Sequence, residues 1–213
     1  MSARITRRRF IRTGVVAAVA VGTGVGVTVA AEQPKVDHPS VTMGAGERKV
    51  LVVYATKSGC TEGVAERIGR VLAAEGVAVD VVPAESAGSP ADYAAVVVGS
   101  GIRMAQWHES ARTWVAANAA LLKAKPLAFY TVCMTLVSDP RKTDEVRAFT
   151  DPLIAQTGVK PVDIGLFKGR NTGEGFSLID CLILAALNTP HGDFRDWAAI
   201  DAWTMAARPR LLG

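Results

Sequence analysis

Hydroxyl side chains cluster in a short loop, residues 56–61, which reads Thr-Lys-Ser-Gly-Cys-Thr. The loop follows the apolar run Lys49–Ala55 and precedes a helical pattern. Five apolar residues share one face of that pattern: Val64, Ala65, Ile68, Val71 and Leu72. A helix N-terminus has backbone N–H groups without partners and the positive end of the helix dipole, so it attracts anions. The sequence therefore predicts a phosphate cradle; the simpler alternative is a helix capped by Thr61.

The loop does not fit two common nucleotide-binding patterns. A P-loop needs Gly-x-x-x-x-Gly-Lys-Ser/Thr, and a dinucleotide fingerprint needs three spaced glycines, whereas this loop has only Gly59. The remaining Thr-x-Ser-Gly-x-Thr arrangement resembles the phosphate loop of flavodoxins, in which hydroxyls and amides hold the phosphate of FMN. The resemblance implies that six residues bind this cofactor: Thr56, Lys57, Ser58, Gly59, Cys60 and Thr61. Lys57 would either supply charge or remain solvated.

Strands and helices alternate along the rest of the chain. After Lys49–Ala55, four apolar segments predict further strands: Val77–Val82, Ala94–Gly99, Leu127–Cys133 and Pro161–Phe167. Helical patterns cover residues 110–125, Asp144–Ile154, with a kink or restart at Pro152, and Trp197–Ala207. Short, β-branched, apolar strands indicate a parallel sheet that is buried on both faces. We therefore expect an α/β fold, a doubly wound five-stranded sheet of order 2-1-3-4-5 in a flavodoxin-like three-layer sandwich. Ligands bind where its winding reverses.

Two more loops follow strands close to that switch point. Their candidate cofactor-binding residues are Ser100, Gly101, Ile102, Arg103, Trp107, Thr131, Val132, Cys133 and Met134. Trp107 and the backbone near Gly101 could cover one face of a flavin ring, and Thr131–Met134 could approach the other. Arg103 could stabilise negative charge on the reduced ring or form a surface salt bridge. His108 could transfer a proton, but we expect it to be an N-terminal residue of the next helix.

The same loops resemble those of the flavodoxin-type protoporphyrinogen dehydrogenases of bacteria. The run Val96-Val97-Val98-Gly99-x-x-Ile102-Arg103, with His108 five residues later, is similar to a Gly-x-x-Ile-Arg…His segment of that family. The run Phe129-Tyr130-Thr131-Val132 is similar to its Phe-Tyr-Ser-Val strand. The resemblance implies an FMN-dependent oxidoreductase that passes electrons from a hydrophobic small-molecule donor to a quinone. An electron-carrier flavodoxin that serves a redox partner protein is the alternative.

The chain departs from that family in the segment Lys168–Pro190. The family has a basic, aromatic insertion there, linked to membrane and quinone use, and this segment is less basic and less aromatic. Met104 and Trp107 also stand where tyrosines are expected. Phe176–Leu187 is nearly all apolar, which favours a helix packed on the sheet over a contact with the membrane surface. It is too short to span a bilayer.

Residues 1–31 have the features of an export signal. The basic run Thr6-Arg7-Arg8-Arg9-Phe10-Ile11-Arg12 precedes the apolar run Val15–Ala31, and its arginine pair followed by a phenylalanine resembles a twin-arginine signal. A single transmembrane helix is the alternative. We expect a periplasmic or other extracytoplasmic protein, with the signal cleaved or kept as a membrane anchor. Residues 32–48 are predicted to be a linker, and residues 49–208 the FMN-binding domain.

The charge and the cysteine content of the chain argue against two kinds of binding site, for nucleic acid and for metal. The net charge of the chain is +4, and residues 1–31 hold five arginines and no acidic residue, so the remainder carries −1. The basic character therefore belongs to the signal, and we expect no nucleic-acid partner. Cys60, Cys133 and Cys181 form no Cys-x-x-Cys motif, so we expect no metal site. One disulfide is the alternative in an exported protein, but no pair is indicated by the sequence, and we expect three thiols.

Overall fold

A computed structural model describes residues 38–213, without the side chains of residues 178 and 179. The predicted signal, residues 1–31, and the first part of the predicted linker lie outside this range. Within residues 38–213, no helix has the length and apolar character needed to cross a membrane.

One sheet of seven strands forms the centre of the fold. The strands are β1 (Val41–Met43), β2 (Lys49–Ala55), β3 (Ala78–Pro83), β4 (Ala95–Arg103), β5 (Gln106–Trp107), β6 (Leu127–Cys133) and β7 (Asp163–Lys168). Their order is β1-β3-β2-β4-β6-β7, and β5 pairs antiparallel with β4. Five of these strands run parallel to one another: β3, β2, β4, β6 and β7. This arrangement confirms the predicted doubly wound order 2-1-3-4-5.

The first strand corrects the predicted linker boundary. Residues 41–43, inside the predicted linker 32–48, form β1 and pair antiparallel with β3 through three residue pairs. A strand of three residues at the edge of a sheet is too short to show the alternation by which longer strands are recognised. The ordered domain therefore begins before Lys49.

Helices cover both faces of the sheet. They are α1 (Cys60–Ala74), α2 (Glu109–Ala117), α3 (Ala119–Lys123), α4 (Thr135–Ser138), α5 (Thr143–Ala148), α6 (Asp151–Thr157), α7 (Leu178–Ala186) and α8 (Trp197–Leu212). The single helix predicted over residues 110–125 is two helices that meet at Asn118, whose backbone has φ −105° and ψ 10°. The side-chain amide of Asn118 donates to Trp114 O at 2.9 Å. The restart predicted at Pro152 is confirmed, since this proline lies in the first turn of α6.

The apolar residues of β2 point alternately to the two faces of the sheet. Val50, Val52 and Tyr54 are fully buried on the side of α1 and α8. Leu51, Val53 and Ala55 are buried on the other side, with residues of α2, α3 and α6. Burial on both faces is the arrangement that the β-branched strands predicted, and it supplies the main stabilisation of the domain.

A separate pair of short strands brings together the two ends of a segment that follows β7. Strand β8 (Arg170–Asn171) pairs antiparallel with β9 (Gly192–Asp193). We call residues 168–195 the insertion segment; it contains α7. This helix corrects the expectation of a helix packed on the sheet: Leu182, Ile183 and Leu187 are 61%, 46% and 70% exposed. Its described residues add no apolar side chain to the buried core.

Candidate functional site

The loop of residues 56–59 joins β2 to α1 at the carboxyl end of the sheet. Gly59 is the N-cap residue of α1 and has φ 72°, a left-handed conformation that glycine adopts without steric cost. No side chain caps α1. Thr61 lies inside the first turn and is 1% exposed, so it is not the cap that the simpler alternative required. The first amides of α1 thus remain available to an anion.

The second candidate loop approaches the first closely. In register, Ala55 of β2 is beside Ser100 of β4, and Ser100 is beside Thr131 of β6. An ideal Cβ on Gly101 would lie 3.2 Å from Thr61 Oγ1 and 3.9 Å from Ala55 O. A larger residue at 101 would therefore press on the phosphate loop. The carboxyl ends of β2, β4 and β6 form one continuous edge, as expected of a switch point.

The loop after the third parallel strand is a tight hairpin rather than an irregular loop. Ile102 pairs with Trp107, and Arg103 with Gln106. Met104 and Ala105 form the turn with φ of 51° and 58°, values that cost energy for residues with a Cβ. Met104 is 87% exposed at the tip. The hairpin therefore projects from the sheet edge beside the phosphate loop.

His108 begins α2, as expected. Its backbone N–H donates to Ser100 Oγ at 2.7 Å, and Ser100 Oγ donates to Gly101 O at 2.8 Å. The hydroxyl of Ser100 is thus engaged inside the protein. Burial lowers the pKa of His108, with a smaller lowering from the nearby positive charge of Lys57. The imidazole is therefore neutral at neutral pH, which does not favour a role as a proton donor.

The position of Trp107 corrects the prediction that its ring covers a flavin face. The indole is only 2% exposed, and its centroid lies 4.9 Å from the ring of Phe129. Its Nε1–H donates to Thr131 Oγ1 at 3.0 Å. Trp107 therefore packs inside the protein and holds the hairpin against β6. Turning the indole outward, toward a flavin, would break both contacts.

The loop after the fourth parallel strand contributes less surface than predicted. Thr131, Val132 and Cys133 are at most 5% exposed, and Met134 is half-buried. Cys133 packs in a small apolar cluster with Leu136 and Val146. Burial raises the pKa of the Cys133 thiol and likewise that of Cys60. Both thiols are therefore protonated at neutral pH and act as packing groups.

Asp180 joins the insertion segment to the phosphate loop and to the hairpin, and it was not among the predicted site residues. Its carboxylate lies 3.0 Å from Lys57 Nζ and 2.7 Å from Arg103 Nη2, and its side chain is 8% exposed. Burial opposes ionisation of Asp180, but hydrogen bonds from Ser177 and Lys57 outweigh it and lower the pKa. Arg103 thus forms the salt bridge that was its alternative role. The Ser177-x-x-Asp180 spacing of a capping box was the available sequence signal.

Arg170 is the second residue that the sequence did not single out. Its Nη2 donates to Ser58 O at 3.1 Å, and its backbone N–H lies 3.1 Å from Cys60 Sγ. The insertion segment therefore contacts the phosphate loop at two residues, through Asp180 at Lys57 and through Arg170 at Ser58. No pattern in sequence could indicate a contact between residues 112 positions apart.

The donor set of residues 56–61 fits a phosphate ester. It combines the hydroxyls of Thr56, Ser58 and Thr61 with uncapped helix amides, and the cations Lys57 and Arg170 lie beside them. Hydroxyls, amides and cations are the groups that bind phosphate in proteins. No cluster of His, Cys, Asp or Glu able to hold a metal ion occurs within residues 38–213.

Comparisons with known proteins agree with this geometry. Protoporphyrinogen IX dehydrogenase (quinone) of Leishmania major is 27% identical over 164 residues, covering 71% of each chain. The Escherichia coli protein of the same name is 24% identical over 123 residues, covering 57% of this chain and 68% of that protein. A cysteine-to-serine mutant of a Pseudomonas aeruginosa flavodoxin has the same fold, with a TM-score of 0.51 and 15% identity over 78% of this chain and 99% of that chain.

A family model described as a flavodoxin domain matches residues 51–197, more than half of the chain. The match includes the phosphate loop, the hairpin and all of α7. The protein therefore belongs to the flavodoxin domain family, whose members bind FMN, the cofactor predicted from the loop.

Proposed function

We propose that the protein is an FMN-dependent oxidoreductase whose phosphate loop, residues 56–61, holds the cofactor. The observation that carries the proposal is the uncapped N-terminus of α1 beside the hydroxyls of Thr56, Ser58 and Thr61. FMN supplies electron or hydride transfer when it is bound. The chain's own residues bind its phosphate, orient it at the edge of the sheet and set the charge around it.

We propose a hydrophobic electron donor and a quinone acceptor, as in the protoporphyrinogen dehydrogenases to which the chain is similar. The exposed apolar residues Leu182 and Ile183 of α7, and Leu187 directly after this helix, support this proposal. Asp180, at the start of the same helix, contacts Lys57 and Arg103. An apolar surface connected to the phosphate loop in this way suits an apolar substrate or the surface of a membrane.

The cofactor is tested first, by the absorbance spectrum of the purified protein and by identification of the compound that heat releases. We expect stoichiometric FMN, and its loss in the double variant Thr56→Ala/Thr61→Ala. The control is Thr113→Ala/Thr143→Ala, which changes two exposed threonines outside the site. A colourless protein that takes up no added FMN would contradict the proposal and leave a binding module without flavin.

The reaction is tested by anaerobic turnover. Protoporphyrinogen with a menaquinone analogue should reduce and reoxidise the flavin without any other protein. An electron-carrier flavodoxin, the alternative function, would turn over only when a partner protein is added. Turnover that depends on such a partner would therefore reject the enzyme and favour the carrier.

We further propose export through the twin-arginine route, on the basis of Arg8-Arg9-Phe10 and the apolar run that follows. Cell fractionation of a bacterial host checks it. The variant Arg8→Lys/Arg9→Lys should remain in the cytoplasm, whereas Arg4→Lys/Arg12→Lys keeps the pair and should be exported. Equal distribution of both variants would contradict the proposal.

A further inference from the structure

Arg170 is anchored beside the phosphate loop by its backbone. The amide of the preceding residue, Gly169, donates to Cys133 O at 3.1 Å. The amide of Arg170 points to Cys60 Sγ, and Arg170 pairs with Asp193 in the β8–β9 strands. Three backbone contacts therefore fix where its side chain begins.

The side chain of Arg170 reaches the turn that starts α1. It is 23% exposed, and Nη2 donates to Ser58 O at 3.1 Å. An ideal Cβ on Gly59 would lie 3.8 Å from the same Nη2. In a trans peptide the C=O and the N–H point in opposite directions. Because the Ser58 carbonyl faces the guanidinium, the Gly59 amide faces away from it and is held in that orientation.

The charge of Arg170 is less neutralised than that of the other two cations near the loop. Lys57 and Arg103 both contact the buried carboxylate of Asp180. The carboxylate nearest to Arg170 is Glu174, at 3.7 Å and 73% exposed, so water screens this pair.

Two other carboxylates face this region, and each has its own partner. Glu62, in the first turn of α1, contacts His38 Nδ1 at 2.7 Å. Asp193 forms a salt bridge with Arg195. The guanidinium of Arg170 contacts the Ser58–Gly59 turn directly, through Ser58 O.

We propose that Arg170 is a positioning residue for the cofactor phosphate and gives the site its preference for FMN over riboflavin. This inference rests on the proposed function. Arg170 orients the Gly59 peptide through Ser58 O and adds positive charge at the N-terminus of α1, where the helix dipole already favours an anion. Riboflavin has no phosphate, so its binding does not depend on either effect.

The test compares the dissociation constants of FMN and riboflavin, measured by quenching of flavin fluorescence in the apoprotein. Arg170→Gln should weaken FMN about tenfold and change riboflavin by less than about twofold, because one charge-assisted contact is lost. Arg170→Lys keeps the charge without the planar fork, so we expect an intermediate loss. Glu174→Gln, the control, should bind FMN as tightly as the wild type or more tightly.

The outcomes separate this inference from the proposed function. If the wild type binds FMN but Arg170→Gln weakens both flavins equally, Arg170 only supports the fold and the inference is overturned. If Arg170→Gln does not fold, as a thermal melt would show, the Arg170→Lys ratio of FMN to riboflavin affinity decides in its place. If the wild type binds neither flavin, the proposed function fails, and the inference with it.

Discussion

The central sheet and the insertion segment, residues 168–195, are held by different forces. Strand β2 buries apolar side chains on both faces, from Val50 to Ala55. Helix α7 leaves Leu182 and Leu187 exposed, and Asp180 attaches it through two ion pairs. Apolar burial does not change with pH, whereas ion pairs depend on pH and are weakened by the screening of added salt. The protein thus combines a tightly packed sheet with an insertion segment whose ion pairs are weakened by low pH or added salt.

A large effect should come from the sheet, where packing allows no added volume. An ideal Cβ on Gly99 of β4 would overlap the ring of the fully buried Tyr130. We expect Gly99→Ala to lower the free energy of unfolding by about 3 kcal/mol, because strand β6 cannot withdraw from β4. Chemical denaturation measures the change.

Gly88→Ala is the matched control. An added Cβ at Gly88 meets no atom within 4 Å. This variant should therefore unfold like the wild type, within about 0.5 kcal/mol. If the two alanine variants were equally stable, the sheet would be no more tightly packed than the loop that contains Gly88, and the contrast with the insertion segment would fail.

A smaller effect is expected where polar contacts replace packing. Asp180→Asn removes the charge that faces Lys57 and Arg103 but keeps the side chain's size. We expect it to lower the opening free energy of α7 by about 1–2 kcal/mol, since Arg103 is half exposed and solvent screens part of the pair. Hydrogen exchange should show about tenfold faster exchange in α7 and unchanged rates in β2.

The control for this variant is Asp139→Asn. Asp139 forms a salt bridge with Arg141, whose side chain is 89% exposed, so its loss should leave hydrogen exchange unchanged. Faster exchange throughout the sheet of Asp180→Asn would show that the segment and the scaffold unfold together. The sheet and the insertion segment would then not be held independently, by apolar packing and by ion pairs respectively.

The sequence predicted the parallel sheet because its strands carry their own signal. β-branched runs such as the one in β2 are typical of buried strands, and helices between them favour parallel pairing. The phosphate loop was also predictable, because all six of its residues are contiguous and their pattern can be seen in the sequence. Its position at the switch point then followed from the strand order alone.

The parts that the sequence did not predict depend on distant contacts or on unusual backbone. The hairpin of β4 and β5 turns at Met104 and Ala105, which lack the Asn-Gly type of signal for a two-residue turn. Trp107 had an apparent role as a stacking ring, and only the register of the hairpin shows that it faces Phe129. Asp180 accepts a hydrogen bond from Lys57, which is 123 residues away in the sequence, and no local pattern indicates such a contact.

The response to pH should also distinguish the two regions. The folded pKa of Asp180 lies below its ordinary value near 3.9, so its ionised carboxylate holds α7 fully above about pH 4. This stabilisation is lost as the pH falls through the folded pKa. In an NMR titration, amide signals of α7 should shift with the midpoint of the Asp180 carboxyl. If signals of the sheet shifted with the same midpoint, protonation would act on the whole domain.

The smallest effect is expected on the exposed face of α7. Leu187 is 70% exposed, so Leu187→Gln loses almost no buried surface and should change the free energy of unfolding by less than about 0.5 kcal/mol. Leu72 of α1 is fully buried, and Leu72→Ala should cost about 2–5 kcal/mol, because a cavity remains. Denaturant titration of both variants compares an exposed with a buried leucine.

A variant of Leu187 also tests whether this exposed apolar surface binds a membrane. If α7 contacts a membrane, Leu187→Gln should weaken sedimentation with anionic lipid vesicles while its stability stays that of the wild type, because burial of leucine in the interface drives such binding. A variant that is destabilised by more than about 1 kcal/mol would mean that Leu187 packs against the protein after all. The apolar face of α7 would then belong to the scaffold, and the insertion segment would no longer differ from the sheet in the force that holds it.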